Sequence, residues 1–130
     1  MLAPHIPLRM ISQYEPVVFP DNGADLEARK QAIILALYNC GITRDIGTNQ
    51  MNAHEDPDIL EDICHMRAAA LAAIPLGQAA LKARTPDDFT QAEKEFRTQY
   101  VNLIGSVKSF LWDAKGPTRN HLWPLVEDLM

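Results

Sequence analysis

His54, Glu55, Asp56, Asp58, Glu61, Asp62 and His65 form the densest group of potential metal ligands and proton-transfer groups in the chain. Glu61 and His65 are four residues apart and Asp62 and His65 three apart, spacings at which one helix can offer a carboxylate and an imidazole to the same ion. A metal-assisted hydrolase or a metal sensor would draw its ligands from His54, Asp58, Glu61, Asp62 and His65. The same positions have a plainer reading. On a helix whose apolar stripe is Ile59, Ile63, Met66, Ala70 and Ala73, the side chains of Asp58, Glu61 and His65 point away from the stripe and Asp62 flanks it. Acids in a first turn also suit the helix dipole. The expectation is a solvated acidic face with no metal and no cofactor, the ion-binding set remaining as the alternative.

Other chemical templates are incomplete. A zinc-protease pair would need a histidine at position 58, where Asp58 stands, and the glycines are too scattered to cradle a phosphate. Cys64 and His65 are neighbours, which on a helix sets their side chains about 100° apart, a poor arrangement for a nucleophile and its base. Cys64 therefore reads as a buried, inert thiol, and Cys40 likewise, without a disulfide between them. No catalytic residue is legible.

The elements that must position these groups are helical. After an N-terminal stretch with Pro4, Pro7, Pro16 and Pro20, residues 1–20 read as an extended arm, too apolar to hang free and so laid over helices of its own chain or of a second copy. A first helix is expected over about 24–40, stopped by Gly41 and central because its second half is apolar all round. Residues 42–55 read as a loop. Asp56-Pro57 starts a second helix over 57–84 with a kink or break near Pro75. Phe89, Ala92, Phe96, Tyr100, Leu103, Val107 and Phe110 keep a seven-residue rhythm through a third helix over 86–112, and a short fourth follows over 120–130. The expected fold is all-α, a four-helix bundle-like single domain of residues 1–130 with an extended arm.

Composition narrows the function further. The 130 residues carry 12 basic against 17 acidic side chains, a net charge of −5, which argues against nucleic acid or an anionic membrane as the main partner. The one basic strip, Lys108, Lys115, Arg119 and His121 near Trp112 and Trp123, is offset by Asp113, Glu127 and Asp128. No apolar run reaches the ~18 residues of a spanning helix, and the prolines near the start break any secretory core. A cytoplasmic location is expected.

On the third helix, Val101 and Trp112 fall off the apolar seam, with Gly105 beside them where a small residue lets another backbone approach. These three are the candidate interaction surface, unless the arm or the terminal stretch covers them. A ligand held between helices near Met66, Phe96 and Tyr100 is a further possibility. The reading that best accounts for the whole is a non-enzymatic interaction module, an adaptor, inhibitor or regulator. It presents an acidic helical surface to another protein or to a second copy, with a homodimer expected.

Overall fold

A computed structural model describes residues 14–21, 23–51, 55–114, 123–124 and 126–127. Within them the fold is all-α, with helices α1 (Leu26–Gln50), α2 (Pro57–Lys82) and α3 (Pro86–Ala114). Among the described residues the bundle has three helices, not the expected four. Of the stretch 120–130, Trp123, Pro124, Val126 and Glu127 are helical, and the rest of it lies outside the described residues.

Start signals act where the sequence places them. Asp56 Oδ1 accepts the Asp58 N–H at 2.9 Å with Pro57 at the first helical position, and Thr85 Oγ1 accepts the Asp88 N–H at 3.1 Å ahead of α3. The stop signals fail twice. α1 does not end at Gly41 but continues to Gln50, so residues expected as loop form its last turns. The continuation buries Ile42, Thr43, Ile46, Gly47 and Gln50, and this packing outweighs the ~1 kcal/mol that a glycine costs inside a helix. α2 likewise runs unbroken through Pro75. Pro75 is exposed, as is Leu71 four residues before it, so the carbonyl deprived of its partner lies on the solvent side.

α2 is the middle helix, with broad contact to both neighbours, whereas α1 and α3 touch each other sparingly. This corrects the expectation that α1 is central: Ile34 and Tyr38 stand exposed on it. Leu37 and Phe96 both reach Gly77, while Arg29 pairs with Glu93 and Asn39 with Tyr100. α1 and α3 thus run parallel to each other and antiparallel to α2.

The buried stripe of α2 is Ile63, Met66, Ala70, Ala73, Gly77 and Ala80, itself a 3-4 rhythm, and its C-terminal half is all small. Facing it, α3 buries Phe89, Phe96, Tyr100, Leu103, Val107 and Phe110, so the seven-residue rhythm is an inward seam. Ala92 is only partly buried. Small residues on the middle helix make room for large ones on α3 and for Leu37 of α1.

The described part of the arm lies on its own chain. Tyr14 and Val17 are buried, and Phe19 meets Phe96 and Tyr100 edge-on with Arg97 4.8 Å over its ring. Asn39, fully buried on α1, accepts the Glu15 N–H and donates to the Glu15 carbonyl and to Tyr100 Oη, each at 2.8–2.9 Å. Thr43 gives its proton to the Asn39 carbonyl, so the Tyr14 hydroxyl donates to Thr43. Residues 1–13 lie outside the described residues.

At Gly77 an added Cβ would lie 2.6 Å from Leu37 Cδ2 and 2.9 Å from Phe96 Cε1. Gly77→Ala is expected to destabilise the fold by about 1–3 kcal/mol despite alanine's better helix propensity, because two helices press on that point. Urea unfolding monitored by circular dichroism measures the change.

Candidate functional site

Among the described residues the acidic start of α2 does not gather into a metal-binding cluster. His54 lies outside the described residues, and Glu55 and Asp58 are exposed. Glu61 and His65 make only a long contact of 4.0 Å with both side chains about two-thirds exposed, the helix-surface pair their spacing allows. Among the described residues no three His, Cys, Asp or Glu side chains converge on one point. Cys64, expected to be buried, is exposed on α2, while Cys40 is buried in α1 with its thiol pushed up to about 12 by desolvation. Both are free thiols.

Asp62 behaves differently from the rest of its cluster. It turns off the solvated face toward Asp113 near the end of α3, and its Oδ2 is shielded from solvent without a hydrogen-bond partner. Burial raises its pKa to about 7, helped by the Asp113 carboxyl and, more weakly, by Glu61 and Asp58. Two carboxylates cannot donate to each other. Only a protonated carboxyl can donate across the pair, so the Asp113 carboxyl adds to burial, the larger cause, in favouring the protonated form of Asp62.

This pair sits in a cleft of about 330 Å³ lined by Asp62 of α2, by Lys108, Ser109, Trp112 and Asp113 of α3, and by Trp123. The Trp112 and Trp123 rings meet edge to face, with centroids 5.8 Å apart at 61°, and the Trp123 indole N–H donates to Glu127. Val126 is fully buried close by in sequence. Trp112 remains 58 % exposed.

About two and three turns before Trp112 on the same face lie Gly105 and Val101. Val101 is 48 % exposed, and an added Cβ at Gly105 would meet nothing within 4 Å. Neither the described arm nor the described terminal residues cover Val101 or Gly105. Val101 also closes one end of a shallow groove of about 440 Å³ with Thr90, Glu93, Lys94, Arg97 and Thr98. Below it Arg29 and Glu93 form a buried pair at 2.6 Å, with the Arg29 guanidinium 5.1 Å over Phe89. Met66, Phe96 and Tyr100, the suggested walls of an internal ligand site, are fully buried, with Phe96 stacked on Tyr100 and Phe19 packed on both.

Two features escaped the sequence reading. Ile34 and Tyr38, with half-buried Gly41 beside them, make a second exposed apolar patch, on α1, which the all-round apolar pattern disguised as a central helix. The Asp62–Asp113 pair joins residues 51 positions apart, and only the antiparallel packing of α2 on α3 brings them together. Among the described residues no helix is long and apolar enough to cross a membrane. No known protein family, curated protein or solved structure matches this chain.

A carboxyl that binds its proton more tightly folded than unfolded contributes most at low pH. Its contribution is lost as pH rises from the unfolded value near 4 through the folded value of about 7. Asp62→Asn is therefore expected to raise the melting temperature at pH 8 and to leave it little changed at pH 4. The difference between variant and parent should grow across that window. Thermal melts of the two proteins from pH 4 to pH 8 test this, and an unchanged difference would show that folding does not raise the Asp62 pKa.

Proposed function

We propose that this chain is a small, non-enzymatic interaction module that docks another protein along the α3 stripe Val101, Gly105 and Trp112, beside acidic helical surfaces. The observation that carries this reading is Gly105. A glycine inside a 29-residue helix costs about 1 kcal/mol against alanine, and neither a turn nor a close internal contact demands it here. At Gly77 the glycine is explained by Leu37 and Phe96; at Gly105 a neighbouring backbone from outside the chain would explain it. Val101 and Trp112 flank the notch with apolar surface whose burial at ~25 cal/mol per Å² would contribute a few kcal/mol before the costs of association. A partner and a second copy are both accommodated by such a stripe. The negative charge of the chain favours a basic partner over self-association, which would oppose like charges.

Filling the notch separates folding from docking. Gly105→Ala is expected to stabilise the isolated chain by about 0.5–1 kcal/mol, and Gly105→Leu to leave it folded while abolishing association. Denaturant unfolding, light scattering of the purified chain across concentration, and capture of a partner by parent against Gly105→Leu bait measure the three effects. A monomer at all concentrations whose capture is indifferent to Gly105→Leu and to Trp112→Ala would overturn the proposal.

A further inference from the structure

The docking stripe ends at Trp112 in the cleft that also holds Trp123, Asp62 and Asp113. This juxtaposition has a chemical preference. Two indole rings set at 61° turn their edges and faces in different directions, and an indole face is the best aromatic surface for a cation. Two carboxyl groups from different helices share the same space, and neither is in an ion pair: among the described residues the pairs are Arg29–Glu93, Arg44–Asp45 and Glu61–His65. Lys108 lines the cleft without pairing with either acid. The volume of about 330 Å³ exceeds what one planar cationic head group needs and is at the small end of ligand pockets.

We propose that the cleft is the specificity pocket of the docking surface and takes an arginine side chain of the partner, its guanidinium lying against the tryptophans and hydrogen-bonded to Asp62 and Asp113. Guanidinium suits this lining better than ammonium because it is planar, stacks on aromatic faces and offers several N–H donors in a fork that two carboxylates can accept. A guanidinium favours the charged carboxylates, so arginine binding releases the proton that Asp62 holds. The groups that set this exchange are Asp113 and Lys108 from α3, Glu61 and Asp58 from α2, and Glu127 beside Trp123. Affinity is accordingly expected to rise by up to about tenfold between pH 6 and pH 8, as Asp62 gives up its proton.

This inference rests on the proposed docking surface, and its test is independent of any partner. N-acetyl-arginine methylamide is titrated into the full chain, with the Trp112 and Trp123 indole N–H resonances as readout and the citrulline analogue, an uncharged isostere, as control. Saturable shifts in the millimolar range, at least tenfold stronger for arginine than for citrulline and lost in Asp113→Asn and in Trp112→Ala, support the pocket. Asp113→Asn keeps the site's shape, and melting of each variant confirms that it is folded. Equal binding of citrulline, or no saturable shift of either indole at pH 8, overturns it. If the indoles stay silent while Gly105→Leu still abolishes docking, the surface stands and its arginine pocket falls. If arginine binds and Gly105→Leu changes nothing, the pocket stands apart from the surface.

Discussion

The close approach at Gly77 governs how the rest of the bundle is arranged. With no side chain there, and with Ala70, Ala73 and Ala80 along the same stripe, α2 is thin enough for Leu37 and Phe96 to meet on it from opposite neighbours. A second narrow point lies at Gly47, where an added Cβ would come within 2.8 Å of Arg67 Cβ. The two crossings hold α1 against α2 over much of its length, and the large side chains that α2 lacks are supplied by α3. The density of such an interior comes from complementary sizes on facing helices rather than from bulk on each.

Polar groups then decide how the sparsely touching pair, α1 and α3, is joined. Arg29 and Glu93 make a buried bidentate pair, to which Thr90 adds a hydroxyl, and Asn39 bonds Tyr100 Oη. Burial raises the pKa of the Tyr14 and Tyr100 hydroxyls, so both stay protonated and able to donate across the physiological range. A buried ion pair of this kind adds little net stability over a well-packed apolar pair, but leaving either charge unpartnered is costly. The register of α1 on α3 is thus set by groups that tolerate few alternatives.

The helical class and the inward seam of α3 were legible because a seven-residue apolar rhythm survives any tertiary context that buries one face. The extent of α1 was not, since the buried face of its last turns includes Thr43, Gly47 and Gln50, residues that read as a loop until their partners are seen. Pro75 misled in the same way: its cost depends on which side of the helix it faces, and this is a property of the fold. Periodicity also placed Val101, Gly105 and Trp112 on one face, and their exposure is consistent with it. The carboxyl partner of Asp62 was invisible, because sequence spacing along one helix carries no information about the helix packed against it. Reading the cluster as a local group of seven concealed that one member belongs to a different neighbourhood.

The grip of Asn39 on the arm falls on the main chain of residue 15, through both its N–H and its carbonyl, and not on the glutamate side chain. Attachment of this kind is indifferent to the identity of the residue it holds. Exchange at Glu15, and at the exposed Val18, is therefore free to accumulate over evolutionary time while Tyr14, Val17 and Phe19 are held by their contacts. Among descendants of this chain the arm should diverge in an alternating pattern, its surface drifting over anchors that stay fixed.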